Sequence, residues 1–88
     1  MMFVILSYDV AEKRNAKVSK TVKKYLTFRQ RSLYQGYLTE KQLGRLQVEL
    51  QLRIDPEQDS VVIYKLDNES ALTVDEIGTV RTRGTFIF

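Results

Sequence analysis

The chain of 88 residues contains no cysteine, no histidine and no tryptophan, and it has a single proline. The absence of cysteine excludes a disulfide scaffold, a cysteine nucleophile and a thiolate zinc site. The absence of histidine excludes Ser-His-Asp hydrolysis and acid–base catalysis by an imidazole. A bound metal ion would therefore need oxygen ligands, which suit Mg²⁺, Mn²⁺ or Ca²⁺.

Glycine and long apolar runs are also scarce. The four glycines are too scattered to form a phosphate-cradling loop or a dinucleotide fingerprint. The apolar run at residues 1–6 is too short for a membrane span and lacks the basic flank of a secretory signal. We therefore expect a cytoplasmic protein that does not associate with a membrane.

The composition is that of one small soluble domain, with 43% apolar and 28% charged residues in 10.3 kDa. A monomer of this size buries only about 60% of the surface of its unfolded chain. A partner subunit would supply the core that such a chain lacks.

Charge is unevenly distributed along the chain, although the net charge is only +3. Residues 10–54 hold eleven of the basic residues and three glutamates, whereas residues 55–88 hold three basic and seven acidic residues. The basic part predicts a surface for a polyanion, and the alternative is an ordinary solvated surface.

Hydrophobic patterning predicts alternating strands and helices. Residues 2–10 form a continuous apolar run typical of a central strand, and residues 12–26 place Val18 and Val22 on one helical face with lysines opposite. Residues 28–38 predict two antiparallel strands or one bulged strand, with the break near Gln35-Gly36.

The second half of the chain begins with a helix signal. Thr39 and Gln42 form a capping box ahead of Leu43, Leu46 and Leu50, which share a helical face. Residues 48–54 also alternate like a strand, but the cap and the length favour a helix. Residues 61–66, 72–77 and 84–88 predict strands, separated by turns at 55–60 and 67–70.

This order of elements predicts an α+β fold, the ferredoxin-like βαββαβ arrangement, followed by an extra C-terminal strand. We expect a single domain over residues 1–88, with a core in about residues 1–66. The region 67–88 would contribute strands to dimerisation, because its apolar end needs cover, and the expected assembly is a symmetric homodimer.

Asp9 is the candidate for chemistry, because it ends a central apolar strand. The structural alternative is that Asp9 accepts hydrogen bonds from the next loop or caps the following helix. In a twofold dimer, Asp9 and its copy would form a pair of carboxylates suited to Mg²⁺, with Mn²⁺ as the other candidate ion. Such an ion would activate water for phosphodiester hydrolysis.

The lysine face of the first helix is the candidate nucleic-acid surface, since lysines bind phosphates without reading sequence. The residues expected to hold phosphates are Lys13, Arg14, Lys17, Arg29 and Arg31. The alternative is a solvated amphipathic helix.

The order and spacing of short motifs resemble the second core CRISPR-associated (Cas) protein family over about residues 2–66. The matching residues are Tyr8-Asp9-Val10, Lys13-Arg14, Lys17-Val18, Lys24-Tyr25-Leu26, Gln30, Ser32-Leu33-Tyr34, Gly36, Leu38-Thr39, Asp55-Pro56, Asp59-Ser60-Val61 and Ile63-Tyr64. Members often have valine at the position of Arg29 and glutamate at that of Gln35, so the chain departs from the family there.

The resemblance implies a ferredoxin-like homodimer whose C-terminal strands cross between subunits. It implies a role in spacer acquisition, in which the dimer bridges CRISPR integrase subunits and lies along a DNA duplex. It also implies metal-dependent endonuclease activity on single-stranded RNA or double-stranded DNA, with Asp9 as the catalytic and metal-binding residue. The alternatives are a non-catalytic RNA-binding module, which would bind through aromatic residues of the sheet, and a structural ferredoxin-like dimer.

Overall fold

The computed structural model of the protein describes residues 1–77. The elements in chain order are β1 (Met2–Asp9), α1 (Glu12–Lys23), β2 (Thr27–Gln30), β3 (Leu33–Leu38), α2 (Glu40–Arg53), β4 (Ser60–Leu66) and a short 3₁₀ turn (Glu69–Ala71). Neither helix in this part of the chain is long and apolar enough to cross a membrane.

The four strands form one antiparallel sheet in the order β2-β3-β1-β4. Strand β1 is central, with Leu6 opposite Tyr34 of β3 on one side and Ile63 of β4 on the other. The two helices lie on one face of the sheet, as the shared core shows. The predicted ferredoxin-like α+β fold is confirmed.

The core lies between the helices and the sheet. Alternation along β1 directs Val4, Leu6 and Tyr8 into this core, where all three are buried. The helices contribute mainly Val18 and Val22 from α1 and three leucines from α2, namely Leu43, Leu46 and Leu50. These are the apolar positions that the helical periodicity predicts.

The other face of the sheet also carries apolar and aromatic side chains. Phe3 and Ile5 of β1 are buried there, whereas Tyr37, Val62 and Tyr64 are between 40% and 56% exposed. Register places these residues on one face, because Phe3 pairs with Tyr37 and Ile5 pairs with Tyr64. Asp9 lies at the end of the same face.

The predicted break near Gln35-Gly36 is wrong, because the turn lies at residues 31–32. Gly36 is an internal residue of β3 and pairs with Val4. It faces the core, where an added Cβ would stand 3.2 Å from Leu26 Cδ2, so the glycine permits close packing rather than a turn. The turn contains Arg31, which has a positive φ of 45°.

The predicted start of α2 is confirmed in detail. The Thr39 hydroxyl accepts a hydrogen bond from the Gln42 backbone N–H at 3.1 Å. The Gln42 side chain accepts one from the Thr39 N–H at 2.8 Å. This reciprocal pair satisfies two backbone donors at the helix start, so residues 48–54 continue a helix rather than form a strand.

The predicted strand at residues 72–77 is wrong, since these residues form neither helix nor strand. They pass the open sheet face, where the Glu76 carboxylate lies 3.7 Å from Arg29. Of these six residues only Leu72 and Val74 are partly buried, so the segment packs little apolar surface against the sheet. The predicted strand at 84–88 lies outside the described residues, and the role of 67–88 in dimerisation stays a prediction.

Candidate nucleic-acid interface

Basic side chains line a groove between α1 and α2. Helix α1 buries Val18, Thr21 and Val22, which leaves its lysines on the solvent side. The groove has a volume of about 520 Å³. Its lining contains no carboxylate side chain, and its five cationic members are Arg14, Lys17, Lys20, Lys24 and Arg53.

The cations of this groove differ in whether they form salt bridges within residues 1–77. Lys17, Lys20 and Arg53 are exposed and form no salt bridge within residues 1–77. Lys13, one turn before Lys17, is exposed in the same way. These four side chains are called the basic ridge below. They are available for phosphate groups, because no salt bridge within residues 1–77 must be broken first.

Arg14 is committed to a buried carboxylate. Its Nε lies 2.5 Å from Asp59 Oδ2 and its Nη2 lies 2.9 Å from Oδ1. The Asp59 side chain is fully buried and the Arg14 side chain is 17% exposed. Arg14 therefore anchors the start of α1 to the loop before β4, and only a small part of its guanidinium remains for an external anion.

Asp59 also serves as a cap. Its carboxylate accepts backbone N–H bonds from Ala11 at 2.9 Å and from Asp55 at 2.8 Å. The Arg14 guanidinium, followed by these two N–H donors, holds the pKa of Asp59 well below its usual range, although burial opposes the shift. The sequence predicts only a turn at Asp59. Its partners Arg14 and Ala11 are 45 and 48 residues away along the chain, so no local pattern reveals these contacts.

Lys24 is shared with a glutamate of α2. Its Nζ and the Tyr25 hydroxyl both donate to the carboxylate of Glu49. The hydrogen bonds from Lys24 and then Tyr25 lower the pKa of Glu49. This cluster ties the end of α1 to α2 and fixes the width of the groove at that end.

The two arginines predicted to hold phosphates near β2 lie in different places. Arg29 is 7% exposed on the open sheet face, where its Nη1 donates to Gln35 Oε1 at 3.3 Å. Burial lowers its pKa, while nearby Glu76 opposes the shift. Arg31 is exposed in the β2–β3 turn. Arg29 and Gln35, the two departures from the family pattern, are therefore contact partners.

Asp9 is exposed at the end of β1, opposite Ser60 of β4. Within residues 1–77 its carboxylate forms no hydrogen bond or salt bridge. It does not cap α1, because the N-cap is Ala11 and the Ala11 N–H donates to the carboxylate of Asp59 instead. The capping alternative for Asp9 is therefore wrong, and the carboxylate has no polar partner among residues 1–77.

A metal site is not complete within the described part of one chain. Residues 1–77 contain no group of three or more acidic, histidine or cysteine side chains that could hold an ion. Asp59, the acid one residue from the β4 partner of Asp9, is saturated by Arg14 and two backbone donors. The Asp9 carboxylate has the donor type that Mg²⁺ prefers, so a second copy is the natural source of further oxygen ligands.

Comparison with known proteins decides the family. The profile of the CRISPR-associated protein Cas2 family matches residues 2–74. The chain belongs to the Cas2 family. The resemblance noted from the sequence is thereby confirmed, and the protein is a CRISPR-associated protein of ferredoxin-like fold.

Several Cas2 proteins match most of the chain. The CRISPR-associated endoribonuclease Cas2 of Thermotoga maritima is 37% identical over 87 residues, covering 99% of this chain and 100% of that protein. An endoribonuclease Cas2 of Thermodesulfovibrio yellowstonii is 44% identical over 68 residues, covering 77% of each chain. These relatives are named as nucleases that act on RNA.

Solved Cas2 structures share the fold. One crystal structure of Cas2 superposes with a TM-score of 0.80 at 33% identity and covers 99% of this chain and 95% of its own. Cas2 of Streptococcus pyogenes, crystallised at pH 6.5, superposes with a TM-score of 0.76 at 27% identity and covers 88% of this chain and all of its own.

Proposed function

We propose that the protein acts in CRISPR adaptation as a homodimer that binds a DNA duplex and bridges integrase subunits during spacer acquisition. The observation that carries the proposal is the basic ridge beside the α1–α2 groove, whose four cations are exposed and form no salt bridge within residues 1–77. Exposed lysine and arginine side chains suit phosphates, whose spacing is independent of sequence.

The open face of the sheet supports the dimer. Tyr37, Val62 and Tyr64 are at least 40% exposed on that face, although they stand beside the buried Phe3 and Ile5. A second copy would remove this apolar surface from water, and a twofold axis would repeat each contact. Asp9 lies at the end of the same face, so both Asp9 carboxylates would face the partner subunit in such a dimer if they lie near its twofold axis.

The proposed chemistry is metal-dependent phosphodiester hydrolysis at Asp9. The Asp9 carboxylates of the two subunits would hold Mg²⁺, or Mn²⁺ in its place, and the ion would supply a more acidic water and offset phosphate charge. The basic ridge would hold the nucleic acid through side chains other than Asp9. Binding and hydrolysis are therefore separable properties of different residues.

The phosphate contacts assigned to this function are Lys13 and Lys17, supported by Lys20 and Arg53 of the same ridge. Arg14 contributes mainly by holding the start of α1 in place through Asp59. Arg31 meets nucleic acid at the β2–β3 turn, and Arg29 reaches it only if the contacts with Gln35 and Glu76 are exchanged.

Charge reversal on the ridge tests the binding. We expect Lys17→Glu to weaken duplex binding at least tenfold, whereas Lys41→Glu, an exposed lysine in the first turn of α2 outside the groove, should change it little. Fluorescence anisotropy with a labelled duplex measures both. Equal losses in the two variants would mean that only net charge matters and that the ridge is not a site.

The role of Asp9 needs a separate experiment. Asp9→Asn keeps the size of the side chain and removes its charge, so we expect the variant to lose Mg²⁺-dependent cleavage while it retains duplex binding. Labelled single-stranded RNA and duplex DNA are incubated with Mg²⁺ or with EDTA and resolved on gels. Cleavage by the variant at the wild-type rate would remove Asp9 from the chemistry.

A second candidate function rests on Tyr37 and Tyr64, which are 40% and 56% exposed as residues on the open sheet face. Exposed aromatic side chains on a sheet stack with unpaired bases in non-catalytic RNA-binding modules. In that case Tyr64→Ala would weaken RNA binding more than Lys17→Glu. The homodimer predicts the reverse order, and it also predicts that Tyr64→Glu shifts the protein towards monomer in sedimentation.

A further inference from the structure

A polar recess lies on the other side of α1 from the groove. It has a volume of about 420 Å³ and lies between α1 and the β2–β3 turn. Its side chains include Tyr8 and Tyr34 from the sheet, Asn15, Ser19 and Lys23 from α1, and Arg31 from the turn. The recess is on the helical side of the sheet and is therefore separate from Asp9 on the open face.

Hydroxyl groups form the inner wall of this recess. Ser19 Oγ and Tyr34 Oη are hydrogen-bonded at 2.9 Å. The Tyr8 ring stacks with the Tyr34 ring at a centroid distance of 6.0 Å, and both residues are buried. Burial, followed by the interaction with Tyr34, raises the pKa of Tyr8 to about 12. Because one hydroxyl of the Ser19–Tyr34 pair donates to the other, the remaining hydroxyl hydrogen of the pair can be donated to an anion.

Two cations stand at the edge of the recess. Lys23 and Arg31 are exposed and form no salt bridge within the described residues. The lining residues include no carboxylate, so the recess carries a charge of about +2. An anion with two negative charges would match it without displacing any internal partner.

The backbone of Arg31 adds an independent observation. Its φ of 45° lies in the left-handed region, which residues with a Cβ rarely adopt and which suits glycine or asparagine. An arginine in such a turn is unfavourable for the backbone alone. Strained positions of this kind are frequent at binding sites, where the side chain has a use that offsets the strain.

We propose that this recess binds the phosphomonoester group of a nucleotide, with Lys23 and Arg31 pairing the phosphate oxygens and one hydroxyl of the Ser19–Tyr34 pair donating a hydrogen bond. A phosphomonoester carries nearly two negative charges near neutral pH, whereas each phosphodiester carries one. The volume lies within the usual range of about 300–1,000 Å³ for small-molecule sites, which leaves room for the sugar and part of the base. Arg31 is the one residue that the recess shares with the proposed duplex-binding surface. The recess could therefore bind a nucleotide even if the basic ridge does not bind a duplex.

The first experiment compares a nucleoside 5′-monophosphate, the matching nucleoside and inorganic phosphate by isothermal titration calorimetry with the full chain. We expect the monophosphate to bind at least tenfold more tightly than the nucleoside. Equal affinity of the two, or no heat from the monophosphate at millimolar concentration, would overturn the proposal.

Variants locate the binding and separate it from stability. Arg31→Gly removes the side chain and relieves the backbone, so we expect at least a tenfold loss of monophosphate affinity with an unchanged or higher Tm. Lys23→Gln should give a similar loss. The matched control is Lys20→Gln, a lysine on the groove side of α1, which should weaken duplex binding and leave the monophosphate unaffected. A Lys20→Gln loss as large as that of Lys23→Gln would refute the site.

The source of the phosphate is distinguished by oligonucleotides with and without a 5′-phosphate. A 5′-phosphate that tightens single-strand binding in the wild type but not in Lys23→Gln identifies a strand end as the ligand. Equal binding of the two oligonucleotides, together with tight binding of the free monophosphate, identifies a mononucleotide. Both results support the recess as a phosphomonoester site, and loss of duplex binding alone would leave it intact.

Discussion

Salt dependence is the most quantitative consequence of the basic ridge. Its four side chains, Lys13, Lys17, Lys20 and Arg53, are exposed and form no salt bridge within residues 1–77, so each can neutralise one phosphate. The logarithm of the binding constant falls with the logarithm of salt concentration with a slope of about −0.9 per phosphate contact. One subunit thus predicts a slope of about −3.6, and a dimer that uses both ridges predicts about −7.

These slopes are large enough to separate the two cases in one titration. Between about 50 and 200 mM salt, affinity should fall about 150-fold if one ridge binds and about 20,000-fold if both bind. Fluorescence anisotropy of a labelled duplex at four or five salt concentrations gives the slope directly. Lys17→Gln should reduce its magnitude by about 0.9 for each ridge engaged, whereas Lys41→Gln should leave it unchanged.

Three results of the salt titration would contradict binding by the basic ridge alone. A slope shallower than about −2 would mean that the ridge does not follow the phosphates. If Lys41→Gln reduces the magnitude of the slope as much as Lys17→Gln does, the duplex is attracted by net charge and not by the basic ridge. A slope steeper than two ridges allow would mean that residues now held in ion pairs, such as Arg14 or Lys24, leave their acidic partners when nucleic acid binds.

The remaining predictions concern stability and the open sheet face. Asp59→Asn should lower the free energy of unfolding at pH 7, as measured by urea unfolding. A carboxylate whose pKa is lowered in the folded state stabilises the fold above its unfolded pKa of about 3.9, and this stabilisation is lost as the pH falls. The difference between the variant and the wild type should therefore shrink below about pH 4. A constant difference down to pH 2 would contradict this. Thr39→Ala removes the acceptor for the Gln42 N–H and should cost about 1 kcal/mol, measured by urea unfolding against Thr73→Ala, an exposed threonine outside any helix. Val62→Lys, on the exposed open face, should leave the monomer folded and abolish the homodimer in sedimentation velocity, and a dimer that persists would place the interface elsewhere.

Local signals in the sequence account for much of the fold. The apolar run of β1 gives a central strand because that strand is covered on both faces, as Phe3 and Val4 show. The capping box at Thr39 is visible because its partners are three residues apart. The turn at Arg31 could not be found in this way, since the residue at the left-handed position is neither glycine nor asparagine.

The candidate site is less predictable, because tertiary contacts decide which charged residues are free. The pattern predicts equal roles for Arg14 and Lys17, which lie on the same side of α1. Asp59, 45 residues from Arg14 in the sequence, forms an ion pair with the Arg14 guanidinium. Arg14 is therefore held in the folded protein, whereas Lys17 is exposed without a salt bridge in residues 1–77. Similarly, Arg29 is buried beside Gln35, and only the register of β2 against β3 reveals that contact.

The Arg14–Asp59 pair connects the two halves of the proposed function. It joins the first turn of α1, where the basic ridge begins, to the residue before β4, and the first residue of β4 pairs with Asp9. The position of the ridge and the position of the strand end that bears Asp9 therefore depend on one buried ion pair. Lys17 variants should alter binding alone and Asp9 variants hydrolysis alone, whereas Asp59→Asn should impair both without touching nucleic acid. A variant of Asp59 that keeps full activity in both assays would show that the sheet alone sets this geometry.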